Sequence, residues 1–190
     1  MTSPAIQALK ENLPQAKITF MASPAGSLVA PLLPGVDEVL TWRVLWQDLG
    51  RLDFNPGREW ELIETLKNRQ FDAAIIFTSF SQSPHPAGLI CALAGIPLLL
   101  GESKEVDNGT LTHTVSPAPD EIHQVERNLR LIEAVGFQVD DRRLTLKWPE
   151  LRESLPRPYI LLNPWTSCQA RTYPTDRFAI AAYQLSVATG

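Results

Sequence analysis

Residues Ala73–Phe77 read Ala-Ala-Ile-Ile-Phe, an unbroken apolar run with no polar position to mark a solvent-facing side. A strand of this kind is covered on both faces, which is the habit of parallel sheets flanked by helices. Other short apolar runs follow the same rhythm, at Lys17–Met21, Val36–Leu40 and Pro97–Leu100. Between them lie helical patterns. Ser3–Asn12 has Ser3 as cap, Pro4 in the first turn and Ile6, Leu9 and Leu13 on one face. Ala25–Leu32 is a brief apolar helix closed by Pro34-Gly35, and Arg58–Arg69 turns Trp60, Ile63 and Leu66 inward. Pro86–Ala94 stops at Gly95. Asp120–Val135 carries acids in its first turn, a stripe of Ile122, Val125, Leu129 and Ile132, and Gly136 past its end. Strands alternating with helices predict an α/β fold with a doubly wound, Rossmann-like parallel sheet.

That prediction carries a difficulty. Doubly wound folds begin with a strand near the middle of the sheet, whereas this sequence begins with a helix. Without that strand, its two neighbours lose their hydrogen-bond partners. At the other end, Tyr159–Leu162 reads as a strand followed by one helix, and such a pair cannot close a core. The expected organisation is an N-terminal domain over residues 1–148 lacking its first strand, a proline-rich linker over 149–158, and the start of a second domain over 159–190. The sequence thus reads as a piece cut at both ends.

Composition excludes several functions. The formal net charge is −4, and no basic cluster alternates with aromatics, so nucleic acid is not an expected partner. No apolar run is long enough for a transmembrane helix, and the N-terminus lacks a secretory pattern. The expectation is a cytoplasmic protein. Cys91 sits in an apolar helix as a core residue, and Cys168 lies in a loop with nothing nearby to mark a nucleophile. His85, His113 and His123 have no metal-ligand spacing, so neither a metal nor a cofactor is expected.

The most chemically suggestive segment is 159–178. Its apolar run leads to the hydroxyls of Thr166 and Ser167 and the cation Arg171, and Pro174-Thr175-Asp176 opens a helix. Hydroxyls, backbone N–H groups and a guanidinium delivered to a helix N-terminus have the makings of a phosphate site. An ordinary strand–loop–helix connection with a solvated arginine is equally compatible.

Five segments together resemble glycosyltransferase family nine, the ADP-heptose:lipopolysaccharide heptosyltransferase group. They are Thr2–Lys10 with Leu13–Phe20, then Leu33–Leu40, then Phe71–Ile75 with Leu93–Pro97, then His123–Gly136, and finally Asn163–Phe178. Each is soft alone, but their order and spacing are specific. The resemblance implies a two-lobed, B-type glycosyltransferase that is metal-independent and inverts the anomeric centre. Its partners would be a nucleotide-sugar donor, ADP-linked, and a glycan or lipid-linked glycan acceptor. It further implies that Thr166, Ser167 and Arg171 meet the donor diphosphate, Arg171 standing where the family has Lys. The family's catalytic Asp lies ahead of the segment matched by Thr2–Pro4 and has no counterpart here, so no catalytic residue is assigned. Peripheral attachment to the cytoplasmic face of the inner membrane is compatible with this reading.

In the first half, Thr78–Pro86 follows the apolar strand, and carboxy ends of strands are where open α/β sheets bind ligands. Ser79, Ser81, Gln82 and His85 are candidate acceptor contacts, Phe80 a stacking surface, and Lys104, after the next strand, a contact for an acceptor phosphate. His85 is also a candidate base. The alternatives are a helix-capping turn around Ser83 and a solvated lysine. Two other functions stay open: a non-catalytic sugar- or nucleotide-binding remnant, and a dinucleotide-dependent oxidoreductase. The latter is weakened by the absence of any G-x-G-x-x-G.

Overall fold

The computed structural model describes residues 1–48, 52–106, 109–148, 159–164, 166 and 171–189. These fall into two units, residues 1–148 and 149–190. The expected linker, 149–158, lies outside the described residues.

In the first unit the order is α1 (Ser3–Asn12), β1 (Thr19–Ala22), α2 (Pro24–Ser27), β2 (Glu38–Thr41), α3 (Pro56–Asn68), β3 (Ala73–Ile76), α4 (His85–Leu93), β4 (Leu98–Glu102), β5 (His113–Val115) and α5 (Gln124–Ala134). Every ladder is parallel. β1 pairs with β2 in the register Thr19↔Glu38, β3 with β4 in the register Ala73↔Leu98, and β4 with β5 in the register Leu100↔His113. The strands form two sheets, β1-β2 and β3-β4-β5. The α/β parallel class read from the sequence is what the chain adopts, with the sheet divided.

Two apolar clusters hold this unit together. Leu62, Ile63 and Leu66 of α3 join Leu40, Ala94, Ile96, Leu99 and Leu111, with Met21, Ala74 and Ile76 packed against them. Ala5 and Ala8 of α1 join Val125, Leu129 and Ile132 of α5, with Ile75 and Phe77 against them. Successive residues 74–77 therefore enter opposite clusters, as the period of two requires. That is why no polar residue interrupts the run. Helix α4 approaches β4 closely: a Cβ on Gly101 would lie 3.0 Å from the Pro84 side chain, and one on Gly88 would lie 3.0 Å from the Thr110 carbonyl. These glycines let the start of α4 sit against the ends of β4 and β5.

Several expectations need correction. Trp60 is 60% exposed, because Leu62, Ile63 and Leu66 centre the buried stripe of α3 and leave Trp60 on its flank. Residues 25–32 are not one helix: α2 ends at Ser27 and a 3-10 turn follows at Ala30–Leu32, with Leu28 exposed. In α1 the cap is Thr2, Ser3 is buried, and Leu13 lies past the helix and exposed. Helix α5 begins at Gln124, capped by His123, whose Nδ1 accepts from the Val125 N–H at 3.3 Å, so Asp120 and Glu121 precede it in a turn. Strand β5 was not anticipated.

In the second unit Tyr159–Leu162 forms no strand, and its side chains range from 40% to 86% exposed. No ladder partner exists for it among the described residues, and a strand needs one. Helix α6 runs Thr175–Thr189 with Asp176 in its first turn. Its start is braced by an edge-to-face contact between Tyr173 and Phe178, centroids 5.3 Å apart.

Candidate functional site

The carboxy ends of β3 and β4 carry the polar chemistry of the first unit. Past β3, Thr78 is nearly buried and the chain turns sharply. The Gln82 N–H donates to the Ser79 carbonyl at 3.1 Å. The Gln82 Oε1 accepts both the Ser79 N–H and the Ser79 hydroxyl at 3.1 Å, and the Ser79 and Ser81 hydroxyls lie 3.4 Å apart. Such self-bonded turns fix a short loop without help from a core. Phe80, at the tip, is 52% exposed.

Past β4, Lys104 turns back to this loop. Its ammonium lies 5.9 Å from the centroid of the Phe80 ring and pairs with Asp120. Ser79, Phe80, Ser81, Gln82 and Lys104 thus stand in one neighbourhood, half exposed and joined by a cation–ring contact across two loops. A flat ring beside hydroxyls, an amide and an ammonium can stack on one face of a sugar while bonding its hydroxyls or an attached phosphate.

His85 does not join them. It is only 7% exposed, with Nδ1 at 2.6 Å from the Thr110 hydroxyl and Nε2 at 2.7 Å from the Ser103 hydroxyl. Both ring nitrogens are engaged, so the imidazole pins α4 to the loops after β4 and before β5; it offers no free nitrogen to a sugar or an acceptor proton. Just ahead of α4, whose N-cap is Pro84, the His85 N–H donates to Ser83 Oγ at 3.3 Å.

Helix α5 holds these loops in place through residues the sequence did not single out. Gln124 Nε2 donates to the Thr78 carbonyl and to Asn128 Oδ1, both at 2.9 Å, and Asn128 Nδ2 donates to the Met1 carbonyl at 3.1 Å. Arg127 pairs with Glu102 at the end of β4 and donates to the Pro119 carbonyl at 2.7 Å. Both partners of this ion pair are almost fully buried, and Glu102 Oε2 is buried with no hydrogen-bond partner. The signal was present: Gln124, Arg127 and Asn128 share one face at i, i+3 and i+4, directly beside the apolar stripe. A polar stripe on an inward face has to find partners.

In the second unit, Thr166 Oγ1 lies 2.9 Å from Thr172 Oγ1, beside the residue after Arg171. Arg171 is exposed, and the N-terminus of α6 follows four residues later. Ser167 lies outside the described residues. A concavity lined by Leu100, His113, Thr114, Val115, Ser116 and Arg130 runs along β5 and includes none of the expected site residues. Among the described residues no group of three His, Cys, Asp or Glu side chains could hold a metal ion, and no helix is long and apolar enough to cross a membrane.

With the geometry in place, a comparison with solved structures adds to it. The chain is similar to the structure of E. coli ADP-heptose LPS heptosyltransferase II, with a TM-score of 0.53 over 80% of this chain. In fold, the chain resembles that protein. The identity is 21%, and the chain spans 42% of that protein's length. No protein-family model and no curated protein matches. The likeness concerns the parallel α/β architecture and speaks to fold alone.

Proposed function

We propose that residues 1–148 form the acceptor side of a nucleotide-sugar-dependent glycosyltransferase of heptosyltransferase type, and that residues 159–190 begin its donor side. The donor is an ADP-sugar, the acceptor a glycan or lipid-linked glycan of the lipopolysaccharide-core kind, and transfer inverts the anomeric centre. The work takes place in the cytoplasm or on the cytoplasmic face of the inner membrane. The observation that carries this reading is the cluster of Lys104 and Phe80 with the Ser79–Gln82 turn, in a fold like that of a heptosyltransferase. Five sequence segments resembling family nine, in order, support it independently.

In this reading the Phe80 ring stacks on an acceptor sugar, Ser79, Ser81 and Gln82 bond its hydroxyls, and Lys104 meets a phosphate on it. Thr166, Ser167 and Arg171 meet the diphosphate, where negative charge grows as the sugar departs. Fixed donors and a cation there stabilise the transition state more than the ground state. His85, with both nitrogens engaged, has no part. For residues 1–190 alone we propose binding without turnover, transfer being assigned to a full two-lobed protein.

Isothermal titration with ADP, ADP-heptose and NAD tests the donor assignment, and the expected order is ADP-heptose and ADP binding with NAD silent. Tight NAD binding with no response to ADP-heptose would overturn it. On the acceptor side, Lys104→Ala should weaken binding of a phosphorylated heptose-containing core oligosaccharide about tenfold, the loss of one charge-assisted contact.

A further inference from the structure

Strand β5 ends its sheet, and its outer edge has no ladder partner among the described residues. Its inner edge is set just ahead of the strand, where the Thr112 N–H donates to the Leu99 carbonyl at 3.0 Å. Alternate residues of a parallel strand serve opposite edges, so His113 turns its N–H and C=O outward, as Val115 does its N–H. The Val115 carbonyl is drawn inward, accepting the Ser103 N–H at 3.2 Å. Main-chain donors and an acceptor therefore stand along the free edge.

That edge borders the concavity along β5, about 420 Å³ in volume, which reaches the second half of α5. This is the size of a ligand cleft. In the ladder, Leu100 lies beside His113 and Glu102 beside Val115, and Glu102 pairs with Arg127 of α5. The side chains of His113 and Val115 thus stand on the face that α5 covers. The lining is apolar at Leu100, Val115, Ala134 and Val135, and cationic at Arg130, whose Nη2 donates to the Ser116 carbonyl at 3.0 Å.

Arg130 lacks a counter-charge. Glu126 lies four residues before it and Glu133 three after it, the spacings at which helix ion pairs form. Both carboxylates go to Arg142 instead. Among the described residues no carboxylate pairs with Arg130, and its Nε is buried with no hydrogen-bond partner. A guanidinium left in this state favours a carboxylate brought from outside. A second copy of the chain does not bring one. Paired antiparallel about Thr114, it would set Arg130 against Thr112 and His113, which carry no negative charge.

We propose that the outer edge of β5, with the groove it shares with α5, binds an extended acidic segment of a partner protein, which adds as a further strand and sets its carboxylate on Arg130. Strand addition satisfies the free main-chain groups, the carboxylate answers the guanidinium, and alternate apolar side chains of the segment cover Leu100 and Val135. The inference rests on β5 and α5 and is independent of the proposed glycosyl transfer.

NMR titration of the chain with the peptide acetyl-Val-Thr-Asp-Thr-Val-amide tests it, since the two Val and the Asp lie on one face of a strand. The amides of His113, Thr114 and Val115 are expected to shift saturably below about 5 mM peptide. The same peptide with Asn for Asp should bind about tenfold more weakly. Arg130→Gln should erase that preference, and Arg130→Lys should keep part of it. Two further peptides carry a single N-methyl group, on the Asp or on the Thr after it. One should lose binding and the other keep it, because neighbouring amides face opposite ways. Absence of saturable shifts at β5 overturns the site, and equal binding of the Asp and Asn peptides overturns the role of Arg130; neither reading needs a variant to fold. Equal effects of the two methylations overturn strand addition. Matching shifts from acetate at the same concentration assign Arg130 to free anions and overturn the peptide. A free chain that is already dimeric, with the His113 and Val115 amides protected, gives the edge to a second copy and overturns the occupant.

Discussion

Ala73–Ile76 and Tyr159–Leu162 have the same local grammar, four apolar or aromatic residues leading through a polar loop to a helix, and they meet opposite fates. The first is a strand, hydrogen-bonded to β4 and packed between two clusters. The second forms no strand, and Leu161 is 86% exposed. The helices that follow also differ. The start of α4 is locked down through His85 and the close approach at Gly88, whereas α6 exposes Ile180, Tyr183, Leu185 and Val187. An apolar run supplies the capacity to be a strand, but the hydrogen bonds and the covering layers come from residues far away in sequence. Residues 1–148 bring those partners, and the described residues of 159–190 do not.

Paired substitutions put this contrast under strain. The largest difference is expected between two arginines. Arg127→Met strands the buried Glu102 carboxylate and should cost about 3–5 kcal/mol in urea unfolding. Arg171→Met, at an exposed position, should stay within about 0.5 kcal/mol while weakening ADP-sugar binding. Comparable losses at the two sites would erase the distinction between the regions.

Next come two leucines. Leu129 is fully buried in the cluster between α1 and α5, so Leu129→Ala should cost about 2–5 kcal/mol, whereas Leu161→Ala should be close to neutral. A strongly destabilising Leu161→Ala would mean that residues 159–162 find a core after all.

A smaller effect is chemical. Burial pushes the Cys91 thiol up to about 11. Near pH 8 its thiolate fraction should fall roughly 100-fold below that of an ordinary thiol, so the Cys91 peptide should be alkylated slowly in the native chain and rapidly in urea. Fast native labelling would show that the α3–α4 cluster opens readily.

The smallest effect is at Asp37, which binds Lys10 and the Ile18 N–H at 2.8 Å each, joining α1 to the first sheet. The Ile18 N–H and then the Lys10 ammonium hold its carboxyl below the usual aspartate range. Its folded pKa lies under its unfolded one, so the unfolded chain binds more protons as pH falls through that window. The stabilisation is present above about pH 4 and is lost below it. Asp37→Asn should flatten the fall in melting temperature between about pH 4 and 3. An unaltered slope there would remove Asp37 from the link.

Much of the fold was legible because it is local. Helix α1 follows its own pattern from Ser3 to Asn12, and the run at 73–77 announces a strand between two helix layers. Elsewhere local pattern was not enough. Strand β5 is three residues long, and it is a strand through its pairing with Leu100, Gly101 and Glu102 of β4, which lie elsewhere in the sequence. Helix α5 begins at Gln124 although acids at 120 and 121 suggest an earlier start, and Asp120 serves Lys104 instead.

The candidate site divides along the same line. The sequence by itself determined that polar residues follow the strands and that helices sandwich a parallel sheet. Only the tertiary structure decided that Lys104 stands over Phe80, that His85 spends both nitrogens on Thr110 and Ser103, and that Arg127 neutralises Glu102. The reason is physical. Turns and helix faces are set by neighbours within a few residues, whereas these pairings join groups 18 to 25 positions apart across one strand or helix and the next, and only the folded backbone brings them within reach.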